Sequence, residues 1–355
     1  MFIHMPINQS TFFGETFALE ALKRQGDPLV SLARYINFES FRPELTKALS
    51  RADQTGQGGR PAWDAVLVFK MLVLQRLYNL SDEQTEFQTH DRLSFHRFLG
   101  LGLGDKVPDS RTLWLYRETW MKAGIFEDLF KGFNRTLKDQ GVIAKAGSVV
   151  DATFIEVPKQ RNTRKENEKI KDGETPQDWV SKPRMLAQKD VEARWTMKRG
   201  VAYYGYKNHT KIDSETELIT ACQVTSAEVH DSQVLKYLVD SSDRRLHADC
   251  AYKSADTDAF LAALNIDNQI HVKGCRNRVI TQPEKQANRV KSEIRARVEH
   301  PYAYMNNSMG GLFMEYIGRK RIEAAAYLLN LIYNFKRLGY LIESGKLITF
   351  DPVLE

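Results

Sequence analysis

The chain has 355 residues, 42% of them hydrophobic and 27% charged, which supplies apolar material for two globular cores and excludes disorder throughout. Its three cysteines, Cys222, Cys250 and Cys275, are far apart with no Cys-x-x-Cys pair, so neither a disulfide framework nor a structural zinc is expected. The net charge of +6 is unevenly placed: residues 159–199 carry twelve Lys/Arg against seven Asp/Glu, and residues 273–297 carry eight against two, two basic runs suited to a polyanion.

The N-terminus, Met1-Phe-Ile-His-Met-Pro6, lacks the basic start and long apolar centre of a secretion signal. The first 140 residues read as helical. Pro61 suits the first turn of a helix reaching to about Leu80. Its apolar stretch is interrupted by Asp64, Lys70, Gln75 and Arg76, the mark of a buried helix rather than a membrane span. Ser81-Asp-Glu-Gln84 is a capping-box pattern that opens a helix through Phe87, Leu93, Phe95 and Phe98, ended by Gly100. Pro108-Asp-Ser110 opens the next, with Leu113, Trp114, Tyr116, Trp120 and Met121 as core candidates and Gly124 at its end. A fourth helix runs from Phe126 to Gln140.

The pattern then changes. Residues 142–157 are β-rich, and residues 158–200 form a charged, aperiodic, proline-containing stretch that reads as an inserted basic loop. Residues 201–224 give two strand-like runs meeting at Asp213-Ser-Glu-Thr216, a hairpin signal. Asp231 caps a helix through Leu235, Leu238 and Val239; a strand over 244–248 follows. Ser254 caps a helix through Phe260, Leu261 and Leu264, and 269–272 is a further short strand. Residues 284–304 are helical in pattern, with a kink expected at Pro301, and a last amphipathic helix covers 319–342. The expected fold class is therefore α+β or α/β: a helical domain over 1–140, then a mixed-sheet domain over 141–345 with the basic loop 158–200 inserted and helices at its C-terminal end.

Three acidic residues stand out in this frame. Asp151 ends the apolar run of Gly147-Ser-Val-Val-Asp151, Asp249 ends that of Leu246-His-Ala-Asp249, and Glu299 follows Arg295-Ala-Arg-Val on a helix. Taken singly, an Asp at a strand end is usually a turn or cap residue, and a Glu beside an Arg is usually half of an exposed pair. Taken jointly they can form an oxygen-rich site suited to magnesium or manganese, and two basic runs beside such a site fit a phosphodiester substrate.

The element order, with acids on the first strand, the fourth strand and the penultimate helix, resembles the RNase-H-like fold of the DDE transposases and retroviral integrases. More specific strings occur in order: Gly59-Arg-Pro-Ala-Trp-Asp64, Asp91-Arg-Leu-Ser-Phe95, Pro108-Asp-Ser-Arg-Thr-Leu-Trp114, Tyr204-Gly-Tyr-Lys-Asn-His209, Val229-His-Asp-Ser232 and Val298-Glu-His-Pro301. Together they resemble a bacterial insertion-sequence transposase of the IS-five type over about residues 12–340. The resemblance implies a catalytic, metal-binding triad of Asp151, Asp249 and Glu299. It implies two Mg2+ ions, with Mn2+ as a substitute, Asp151 bridging both and the other two acids completing one each. Cleavage of double-stranded DNA at terminal inverted repeats would release a 3′-hydroxyl that attacks target DNA. The resemblance further implies a homodimer or larger working complex, no membrane, and a cytoplasmic, nucleoid-associated protein. Departures from the pattern are Ala303 and Asn306, where Arg and Lys are expected, and Ser292, where a tyrosine is; these weaken DNA-end contacts and leave the acids intact.

Candidate DNA contacts are Lys207 and His209 after the loop, Arg194 and Trp195 within it, and Arg295 and Arg297 beside Glu299. Trp195, like Trp179, is either a stacking surface for an unpaired base or a loop anchor. The helices from Asp82 and Ser110 form a helix-turn-helix-like unit in which Arg111 and Arg117 face DNA. Two rival readings share this site or this ancestry: an RNase-H-like nuclease that cuts without joining, and a non-catalytic DNA-binding protein derived from a transposase. The presence of all three acids opposes the second.

Overall fold

A six-stranded mixed sheet carries the second half of the chain in this computed structural model, which describes residues 14–49, 62–143, 147–198, 200–274 and 278–347. The strands are β1 (Ser148–Glu156), β2 (Arg194–Lys198), β3 (Val201–Asp213), β4 (Ile219–Ser226), β5 (Arg245–Ala248) and β6 (Asp267–Asn268). Their order is β2-β3-β1-β5-β6, with β4 also paired to β3. β1 runs antiparallel to β3 and parallel to β5, so the two strands that lead into Asp151 and Asp249 lie side by side in the same direction. Gly205 has φ +143, and a Cβ there would stand 2.3 Å from the Ile155 carbonyl oxygen, so only glycine allows β1 and β3 to approach this closely.

Before the sheet come helices whose ends follow their local chemistry. Asp64 accepts from the Leu67 N–H and caps helix Ala65–Leu77, whose apolar side chains are buried on nearly every side; Pro61 lies outside the described residues. The capping box of Ser81 and Gln84 is present, but the single expected helix is two, Asp82–Asp91 and Leu93–Leu99, and Phe87 is exposed. Asp109 caps Ser110–Ala123, which Gly124 closes in the left-handed conformation before Ile125–Asp139 begins. Trp114, expected in the core, is 51% exposed, because the helix buries Leu113, Tyr116, Trp120 and Met121 instead.

Two separate cores were expected along the chain, and the packing joins them. One cluster runs from Leu29 and Phe38 through Phe69 and Trp120 to Val149, Ile155, Tyr206 and Leu338. The reason is the final helix, Arg319–Glu343, which lies on one sheet face and packs Phe335 against Phe38, Phe41 and Phe133 of the N-terminal helices. A smaller cluster of Val150, Leu235, Leu238, Leu246, Ala248 and Leu261 covers the other sheet face.

The inserted stretch 158–200 is structured. It holds helices Arg164–Lys171, Gln177–Val180 and Pro183–Leu186, then β2, which pairs with the first residues of β3 as β4 pairs with the later ones. Trp179 is fully buried and donates to Glu166, which makes it the anchor of this insertion. Asp231 begins a short 3-10 turn capped by His230 rather than capping a long helix. The expected helix over 284–304 divides into Gln282–Arg295, a 3-10 turn at Ala296–Val298, and Glu299–Ser308. The break places Pro301 in the first turn of the new helix, where its missing N–H costs nothing.

Candidate active site

Register fixes the first two acids. Val150 pairs with Ala248 across the parallel β1–β5 ladder, so Asp151 and Asp249 occupy the next positions on adjacent strands. Val150 and Ala248 belong to the core on one sheet face; alternation turns Asp151, between Val149 and Thr153, toward the opposite face, where the helix of Glu299 packs. That helix and the turn before it are held down by Val298, Tyr302 and Met305, all buried, while Glu299 stays exposed at the edge.

Asp151 Oδ1 accepts from the Ala152 N–H at 2.8 Å, and Oδ2 accepts from Arg295 Nη1 at 3.2 Å. Arg295 Nη2 stands 3.7 Å from Glu299 Oε1, one helical turn further on. A single guanidinium therefore links the first and third acids. Asp249 caps a short 3-10 turn, accepting from the Cys250 N–H. Burial raises the Asp151 carboxyl above its ordinary value; Ala152 and Arg295 oppose the shift, and the charge of Asp249 adds to it. Burial also pushes Asp249 upward, but Cys250, Arg295 and His271 outweigh it and hold that carboxylate below its ordinary value. The two carboxylates are thus shifted in opposite directions, Asp151 upward by burial and Asp249 downward by the hydrogen bonds of Cys250 with nearby positive charge.

Among the described residues, no group of three His, Cys, Asp or Glu side chains is gathered closely enough to hold a metal ion. The sheet delivers Asp151 and Asp249 together, and Glu299 joins them only through Arg295. The donor set nevertheless fits a hard divalent cation in kind: carboxylate oxygens at neighbouring positions on adjacent parallel strands, Asp151 within β1 and Asp249 just past the end of β5.

The family described as "Transposase DDE domain" matches residues 144–335, and that described as "Transposase domain (DUF772)" matches residues 17–119. The chain belongs to the DDE transposases. It is a DNA transposase of a metal-dependent polynucleotidyl transferase family, with a helical N-terminal region followed by a mixed-sheet nuclease fold. It is also similar to a chain in "Cryo-EM structure of piggyBac transposase synaptic complex with hairpin DNA", at 11% identity and TM-score 0.43, over 92% of this chain and 77% of that one. So distant a likeness carries no argument. Among the described residues, no helix of the transposase is long and apolar enough to cross a membrane.

Several residues expected to touch DNA serve the fold of the transposase instead. Lys207 and His209 lie on the sheet face opposite Asp151. Lys207 Nζ is paired with Asp231 at 2.9 Å, and His209 is fully buried, with Nε2 2.9 Å from the Thr225 hydroxyl. Burial lowers the His209 pKa to about 4, so it is a neutral core residue. Arg117 is buried and grips Asp82 and Gln75, whereas Arg111, at the start of that helix, is exposed. Arg194 donates to the carbonyls of Val191, Ala193 and Ile170 and pairs with Glu228, fastening the insertion to the sheet. Arg297 donates to the Ser214 carbonyl, Arg295 has chosen carboxylates, and His300 points away from Glu299 toward Glu217 and Tyr333. Trp195 is 51% exposed on β2, with Lys159 Nζ 5.6 Å above its ring.

Two residues of this neighbourhood were not singled out in the sequence. Tyr302 donates to the Asp151 carbonyl oxygen, and His271 lies within electrostatic reach of Asp249. Only the spacing of Val298, Tyr302 and Met305 along one helical face hinted that Tyr302 would point inward.

Proposed function

We propose that this transposase is of the IS-five type, that it cleaves DNA at the terminal inverted repeats of its element, and that it joins the freed 3′-hydroxyl to target DNA. Asp151, Asp249 and Glu299 are its catalytic residues, and a homodimer or larger assembly pairs two ends. The observation that carries the reading is the β1–β5 register, which brings Asp151 and Asp249 to neighbouring positions on the face served by the Glu299 helix. Two Mg2+ ions, or Mn2+ in their place, held by these oxygens would supply an activated nucleophile and neutralise charge at phosphorus. The chain's own part is to orient the oxygens: Ala152 fixes one Asp151 oxygen, Cys250 fixes one Asp249 oxygen, and buried Tyr302 holds the strand to the helix.

DNA contact falls on side chains that remain exposed: Arg111 on the N-terminal helices, and the β2–β3 ribbon. On the ribbon Trp195 and Met197 are exposed, Tyr203 stacks on Phe154 of the neighbouring β1 with centroids 4.2 Å apart, and Lys198 stands over Phe154. Stackable rings flanked by cations suit an unpaired stretch of strand.

Asp151→Asn, Asp249→Asn and Glu299→Gln are each expected to abolish Mg2+-dependent nicking of the DNA flanking the gene, while gel-shift binding to the same DNA persists. Nicking retained by any one variant removes that residue from the site. Cleavage without joining, when a pre-cut end is supplied, would instead favour the nuclease reading.

A further inference from the structure

Arg295 is the feature of the site that neither a metal-binding triad nor a DNA contact explains. Its side chain is less than a quarter exposed and reaches Asp151 Oδ2 at 3.2 Å and Glu299 Oε1 at 3.7 Å. One cation thus serves two acids, and it serves them poorly. Charge-assisted N–H···O bonds are ordinarily about 2.7–2.9 Å and often bidentate with arginine. Both contacts here are longer, and each uses one nitrogen. An arginine built in as a permanent strut looks like Arg117, which grips both oxygens of Asp82.

We infer that Arg295 is a place-holding counter-ion: in the metal-free protein it occupies the positive position between Asp151 and Glu299, keeps the carboxylates from repelling one another, and competes with the divalent cation for the same oxygens. The inference rests on the proposed metal site. Two consequences follow from elementary electrostatics. The site is kept near its working arrangement without metal, because a guanidinium offsets charge that would otherwise push the acids apart. Metal entry requires the guanidinium to give up its contact with Asp151, so the protein's own arginine lowers its affinity for the ion. Arg295 is a positioning residue in this scheme, acting through the carboxylates.

The test is a gain, which mere structural damage does not produce. Mn2+ binding to the full-length protein, without DNA, is measured by titration calorimetry and by the loss of the free-ion electron-paramagnetic-resonance signal. The variants are Arg295→Met and Arg295→Gln, each checked for an unchanged thermal melt, with Asp151→Asn as the site control. Both Arg295 variants are expected to bind Mn2+ roughly five- to tenfold more tightly than the parent, the scale set by removing one nearby competing charge. Equal or weaker binding in both variants overturns the place-holder role, and so does undetectable binding by parent and variants alike. If Asp151→Asn leaves parental Mn2+ binding unchanged, the metal-site reading itself fails, an outcome distinguishable from failure of the place-holder alone.

Discussion

The phenol of Tyr302 donates its proton to the main-chain carbonyl of Asp151 at 2.9 Å, bridging residues 151 positions apart. The Thr210 hydroxyl, 2.6 Å away, completes a short chain of hydrogen bonds between β3, β1 and the helix of Glu299. Burial holds the Tyr302 pKa well above its ordinary value, so the phenol remains a donor. Tyr302→Phe keeps the ring and removes one hydrogen-bond partner each from the Asp151 carbonyl and the Thr210 hydroxyl. The expected cost is about 1–2 kcal/mol in urea unfolding, with cleavage falling while DNA binding is kept. Unchanged stability together with unchanged cleavage would show that the bridge between strand and helix is immaterial.

Lys211 on β3 and Asp243 before β5 form a buried ion pair at 2.8 Å, and Asp243 also accepts from the Ser148 hydroxyl and the Asp240 N–H. The three strands that build the site meet here. Asp243→Ala leaves the buried ammonium only its longer contact with Asp240, at 3.9 Å, and is expected to cost up to about 3–5 kcal/mol. The double variant Lys211→Met with Asp243→Leu removes both charges and should recover most of that loss in denaturant titrations. A double variant as unstable as the single one would locate the cost in packing rather than in the orphaned charge.

His209 makes stability depend on pH with a definite sign. Its pKa is about 4 in the fold because burial disfavours the imidazolium, against about 6.5 in an unfolded chain. Between these values the unfolded chain takes up a proton that the native state refuses. Stability is therefore full above pH 6.5 and is lost as pH falls toward 4, by about 2 kcal/mol at pH 5 from this residue alone. His247, also lowered to about 4 mainly by burial, adds in the same direction. Urea unfolding at pH 7.5 and pH 5 should show a smaller acid loss for His209→Gln than for the parent. Parallel losses would mean that His209 is not buried in neutral form.

Most of the architecture could be read along the chain because its signals are local. The capping box at Ser81, the cap at Asp109, Gly124 in its left-handed turn and the hairpin at Asp213–Thr216 each depend on a few neighbouring atoms, and each occurs where expected. The placement of Asp151 on β1 and of Glu299 on a late helix was legible for a related reason: each depends on its own strand or helix. Lys207, His209, Arg117 and Arg194 were misread as DNA contacts because a polar residue in sequence does not reveal its partner. Asp231, Thr225, Asp82 and the carbonyl of Ile170 are distant along the chain and become neighbours only when strands pair and helices dock.

By itself, then, the sequence determined most of the elements outside the insertion and the family to which the chain belongs, since hydrophobic period, caps and turn residues act over one or two turns of chain. Tertiary structure alone decided that helices from both ends share one core through Phe335, that the sheet has an extra strand drawn from the insertion, and that Arg295 stands between Asp151 and Glu299. Those outcomes depend on which face meets which across long separations, and on where a charge finds its counter-charge once water has been excluded.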